Sequence, residues 1–125
     1  MQRIVNTNQA PAPIGPYSQA VMAGGFLFVS GQIALDPFTG ELRNGSAEEE
    51  TEQVMKNIGA ILEAAGLGFR NVVKTTIFLK DMNDFTKVNE VYGRSFAGDF
   101  PARETVQVAA LPKNVQVEIS VIALS

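Results

Sequence analysis

The sequence predicts a two-layer α+β fold: a mixed β-sheet of about six strands with two helices on one face. Three observations lead there. Two segments carry apolar residues at helical spacing, and six shorter runs are rich in β-branched or aromatic residues. These follow the order β-β-β-α-β-α-β-β, with no internal repeat and no linker. At 125 residues the chain suits a single domain over 1–125, because two halves would each be too small to bury a core easily.

The opening MQRIVNT reads as a short strand with Ile4 and Val5 between polar residues. NQAPAPIGPYS follows, and its three prolines and one glycine predict an ordered, irregular loop. YSQAVMA and FLFVSGQIAL are strands joined at Ala23-Gly24-Gly25, where paired glycines permit the positive φ of a tight hairpin. DPFTG is a turn with Pro second and Gly last. From Ser46 to Ala65 the pattern is helical. Ser46 with Glu49 makes a capping box, the first turn is acidic, and Val54, Ile58, Ile61, Leu62 and Ala65 share one face before Gly66 supplies the stop. NVVKTTIFL (71–79) is β-branched and uncharged except at Lys74, the pattern of a central strand. Asn83 or Asp84 caps a second helix running to about Ala97, with Phe85, Val88, Tyr92 and Phe96 inward. ETVQVAAL and VQVEISVIAL are the last two strands, joined by PKN.

Composition narrows the chemistry. With 46% apolar and 18% charged residues the chain is globular. Its longest uncharged apolar stretch, about residues 20–28, is roughly half a membrane span. The opening lacks the charged and apolar regions of a secretory leader, so the expected location is cytoplasmic. There is no Cys and no His, which excludes thiolate catalysis, disulfides and His-based metal sites. Net charge is −3, which opposes a broad phosphate-binding face. Gly66-Leu67-Gly68 lacks a third glycine and follows a helix, so it is no dinucleotide fingerprint. Carboxylates, Arg, Lys, Tyr, hydroxyls, amides and the backbone remain.

Several polar residues interrupt the pattern, and such breaks concentrate at functional sites. Asn89 lies on the apolar face of the second helix, either as a binding group or bridging buried backbone. Glu118 sits opposite the apolar parity of the final strand, as a cleft carboxylate or on a solvated face. Ser30-Gly31 marks a ligand approach or a β-bulge. Arg103 follows Pro101-Ala102 at a strand mouth, as an anion clamp or a surface charge. Tyr17 is a pocket phenol or a loop residue packed over core.

Together, APAPIGPYSQA (10–20), VSGQI (29–33), VVKTTIFLKDMNDFTKVNEVY (72–92) and PARETVQVAALPKNVQVEISVIAL (101–124) resemble the RidA (YjgF) family of enamine/imine deaminases, over nearly the whole chain. The resemblance implies a chorismate-mutase-like fold and a homotrimer with ligand sites between subunits. It implies that the last strand inserts beside the central one; a simple hairpin of the last two strands would leave Arg103 and Glu118 about 13 Å apart along the sheet. It also implies a site of Arg103 and Glu118 as catalytic residues, with Tyr17, Ser30, Gly31, Asn89 and Thr105 binding substrate. The family commonly has Cys where Thr105 stands; a role for that residue's backbone carbonyl tolerates the change.

The implied reaction is hydrolysis of a 2-imino acid to a 2-keto acid and ammonia. Arg103 would grip the carboxylate bidentately, and Glu118 would move the proton. Imines hydrolyse in water unaided, so no metal or cofactor is expected. Two rivals stand beside this reading: a non-catalytic trimer that senses a small carboxylate, and an RNA-cleaving or translation-inhibiting protein. The acidic balance and the absent His oppose the latter.

Overall fold

A computed structural model of the chain describes residues 2–125; Met1, at the head of the predicted first strand, lies outside the described residues. The elements are β1 (Gln2–Val5), β2 (Ala20–Ala23), β3 (Phe26–Gln32), α1 (Ala47–Ala64), β4 (Val72–Leu79), α2 (Phe85–Gly93), β5 (Ala102–Gln107) and β6 (Val117–Leu124). They form one six-stranded sheet in the order β1-β2-β3-β6-β4-β5. Among the described residues only β4 and β5 run parallel, and α2 makes the crossover between them.

Local chemistry explains most boundaries. Gly24 and Gly25 both have positive φ, 59° and 83°, and turn β2 into β3 over two residues. Ser46 Oγ accepts the Glu49 N–H at 3.0 Å to open α1. At its far end Gly66 takes φ 76°, while Leu67 N–H reaches Leu62 O at 2.9 Å. The core lies between α1 and one sheet face, where Val54, Ile58, Ile61 and Leu62 meet Leu27, Ile77, Leu79, Val117 and Ile119. All nine are 0% exposed, so each Leu or Ile contributes about 1.5–3 kcal/mol of burial. None of the helices is long and apolar enough to cross a membrane, among the described residues.

Several boundaries depart from expectation, among them the starts of β2 at Ala20 instead of Tyr17 and of β6 at Val117 instead of Val115. The second helix is shorter. A 3₁₀ turn over Met82–Asp84 precedes it, Asp81 caps that turn by accepting the Asn83 N–H at 2.9 Å, and α2 stops at Gly93. Glycine lowers helix propensity there, and tight turns follow, Ser95 N–H to Tyr92 O and Phe96 N–H to Gly93 O, both 3.2 Å. Phe96 still reaches the core by stacking on Tyr92 at 5.0 Å. Next, β5 begins at Ala102 and ends at Gln107, so Arg103 is within the strand and the residues from Ala109 onward run beyond the ladder. Finally, β3 ends at Gln32, short of the predicted Leu35.

The last strand does not pair with its predecessor. β6 lies between β3 and β4, antiparallel to both. Its Val117, Ile119, Val121 and Ala123 are buried against the helices, which turns Glu118, Ser120 and Ile122 to the face without helices.

Candidate functional site

The predicted site residues fall into two groups on opposite faces of the sheet. Thr75 of β4 is the register partner of both Arg103 and Val121, whereas Phe78 is the partner of Glu118. Arg103 therefore shares the helix-covered face, and Glu118 the other. They stand two strands apart, about 10 Å, and three residues apart along the sheet, about another 10 Å. No small substrate touches both within one copy of the chain.

The first group is Tyr17, Ser30, Gly31 and Glu118. One extra residue in β3 bulges its pairing with β6 between Val29 and Gln32. The bulge brings Gly31 against Glu118. A Cβ on Gly31 would lie 2.8 Å from Glu118 Oε2, so glycine is what allows the approach. Ser30-Gly31 thus marks a β-bulge, one of its two readings. Ser30 Oγ donates to Ser18 O at 2.6 Å, and its N–H to Gln19 O at 2.9 Å. Tyr17, Ile14, Pro11 and Leu35 wall a small cavity over Gly31 and Glu118. Tyr17 Oη accepts the Ile14 N–H at 3.2 Å, which orients the ring within the loop. Burial pushes the Glu118 carboxyl above its ordinary value of 4.5, toward the range of a working acid–base group.

The second group is Asn89, Arg103 and Thr105. The Arg103 guanidinium sits over two aromatic rings, 5.6 Å from the Phe85 centroid and 5.2 Å from that of Tyr92. Among the described residues the three ion pairs are Arg43–Asp36, Lys74–Glu104 and Arg94–Glu90, and none engages Arg103. The platform is rigid because Tyr92 donates to Thr75 Oγ1 at 2.9 Å, inside the core. Burial raises the Tyr92 phenol, against smaller opposing effects of Thr75 and Arg103. Asn89 is half-buried, one turn after Phe85 and three residues before Tyr92, hence on the same side of α2. Thr105 follows Arg103 on the same strand face, and its buried hydroxyl has no hydrogen-bond partner. A stacked, unpaired guanidinium can take a planar anion; a desolvated carboxylate can move a proton.

Sequence reasoning missed the buried polar residues that hold these groups in place. Gln19, Glu50 and Asn57 are 2%, 1% and 1% exposed. Glu50 Oε1 accepts the Gln116 N–H at 3.0 Å, just before β6. Asn57 Nδ2 donates to Ile33 O and Leu35 O at 3.1 and 3.0 Å. The available signal was the 3- and 4-residue spacing of Glu50, Gln53 and Asn57 along the edge of the apolar stripe of α1.

Comparison with known proteins agrees with this architecture. The family model described as endoribonuclease L-PSP matches residues 7–125. A human protein named 2-iminobutanoate/2-iminopropanoate deaminase is 51% identical over 99% of this chain and 90% of its own. A RutC family protein of Pyrococcus horikoshii is 54% identical over 98% of each chain. The crystal structure of Escherichia coli TdcF with bound serine superposes with a TM-score of 0.93 at 41% identity, covering 98% of both chains. The chain therefore belongs to the RidA (YjgF) family, the one whose model is described as endoribonuclease L-PSP.

Proposed function

We propose that the protein hydrolyses reactive 2-imino acids, such as 2-iminopropanoate and 2-iminobutanoate, to 2-keto acids and ammonia. The observation that carries this is Glu118: a carboxylate pressed on Gly31 in a small cavity, its pKa raised by burial. The names of relatives more than half identical to this chain support the same chemistry.

The separation of Arg103 and Glu118 on opposite faces supports a site completed by a second copy. The uncovered sheet face favours such association, since Phe26, Phe28, Val106 and Leu124 are 39–46% exposed there. We infer a homotrimer whose clefts bring Arg103, Asn89 and Thr105 of one copy to Tyr17, Ser30, Gly31 and Glu118 of the next.

In that cleft Arg103 grips the substrate carboxylate with two parallel N–H bonds, held flat by Phe85 and Tyr92. Ser30, Gly31 and Asn89 position the imine, and Tyr17 closes the pocket. Water held by the Thr105 carbonyl gives a proton to Glu118 and attacks C2, and the C=N pair moves to nitrogen. Glu118 returns the proton to nitrogen to give the carbinolamine. It then takes the hydroxyl proton and delivers it to the same nitrogen, so that the C2–N bond breaks, ammonia leaves with its pair, and the C2–O pair forms the carbonyl. Orientation and one proton shuttle are the whole catalytic demand.

A second reading, binding without turnover, draws on the bound serine of TdcF. It predicts ligand binding that depends on Arg103 but no role for Glu118. RNA cleavage, suggested by the family description, is opposed by the charge of −3 and the absence of His. The deciding experiment follows 2-iminobutanoate released in situ from threonine. Arg103→Ala should lose ~3 kcal/mol of transition-state stabilisation. Full activity in that variant refutes the proposal, and a monomer by sizing refutes the shared site.

A further inference from the structure

The loop at 8–18 forms the outer wall of the Glu118 cavity, yet it has little means of holding its own shape. Three prolines remove backbone donors, and its one internal backbone hydrogen bond among the described residues is Tyr17 N–H to Gly15 O at 2.8 Å. Gln19, at its end, does the holding. Its Oε1 accepts the Thr7 N–H at 2.7 Å, and its Nε2 reaches Pro11 O at 2.8 Å, Thr7 O at 3.0 Å and Ala10 O at 3.3 Å. A primary amide is the side chain that offers an acceptor and two donors from one planar head. The main-chain carbonyl of the same residue accepts the Ser30 N–H, beside the glycine on which Glu118 rests. One residue thus couples the Pro11–Tyr17 wall to the cavity floor.

We propose that Gln19 is a positioning residue for the reaction, setting the distance of that wall from Glu118 without touching the reacting atoms. This rests on the deaminase reading above. Gln19→Met keeps the volume and removes every side-chain bond. Gln19→Glu keeps the acceptor for Thr7 and sets a carboxylate against three carbonyls. The parent and both variants are compared by steady-state kinetics on 2-iminobutanoate and by amide hydrogen exchange. The Ile14 and Tyr17 amides, neither of which bonds the Gln19 side chain, should exchange about tenfold faster or more as the loop opens. KM should rise about tenfold while kcat stays within about threefold, because the Glu118–Gly31 contact is unaltered.

An active parent with unchanged KM in a folded variant overturns the role of Gln19 alone, as does an equal fall confined to kcat. Failure of both variants to fold makes Gln19 a stability residue and overturns it too. An inactive parent overturns the deaminase reading, and this inference with it.

Discussion

A methyl group placed on Gly31 would meet Glu118 head on. The Cβ would lie 2.8 Å from Oε2, 2.9 Å from Cδ and 3.1 Å from Cγ. Ordinary contact begins about 3.5 Å away, so the carboxylate must retreat by roughly 0.5–1 Å. Gly31 is not among the glycines with positive φ, so alanine meets no backbone strain and the whole conflict falls on one side chain. Glu118 is only half-buried, which puts the stability cost of Gly31→Ala near the low end for overpacking, ~1 kcal/mol. Catalysis is less forgiving. A displacement of about 1 Å in a proton-moving group costs about a hundredfold, or ~2.7 kcal/mol. Urea unfolding and kcat/KM on 2-iminobutanoate, measured on the same preparation, separate the two effects. A variant that keeps its activity within about threefold would show that the placement of Glu118 against Gly31 is incidental.

Other perturbations test other parts of the structure. Burial raises Glu50 above its ordinary 4.5, so the neutral form is favoured by folding: the parent loses stability as pH rises through the folded value, and Glu50→Gln, still accepting from Gln116, should be the more stable protein at pH 7 and lose that advantage below about 4.5. Thermal midpoints across pH read this, and a constant offset would contradict it. The raised Glu118 carboxyl predicts an acid limb of kcat/KM above 4.5, lost in Glu118→Gln along with most activity. Asn57→Ala leaves the carbonyls of Ile33 and Leu35 without their donor and should cost ~1–3 kcal/mol in denaturant unfolding. Thr105→Val removes a buried hydroxyl that has no partner, and should raise stability by ~1 kcal/mol in the same measurement.

Much of this architecture could be read from residues a few positions apart. The Gly24-Gly25 turn, the Ser46 cap, the Gly66 stop and the face of Val54, Ile58 and Ile61 are local events, decided by φ preferences and a 3.6-residue period, and the structure has all of them. The second helix starts after Asp84, one of the two expected cap positions, although no Asp84 side-chain bond closes it; it ends earlier than its pattern suggests because Phe96 reaches the core from a turn as well as from a helix. Buried amides were the larger omission. Gln19 and Asn57 look like surface residues until the carbonyls they satisfy are known.

What sequence alone determined about this protein was its element order, its hairpin, its first helix and the short list of groups able to do chemistry. Its residues left open whether the last two strands form a hairpin, and resemblance supplied the expectation that they do not. Only the tertiary structure decided that β6 runs between β3 and β4, that a bulge seats Gly31 on Glu118, and that Arg103 and Glu118 face opposite ways. The reason is physical: propensity and periodicity act within a segment, but which strands pair, and in what register, depends on groups far apart in the chain, and a shift of one residue exchanges the faces.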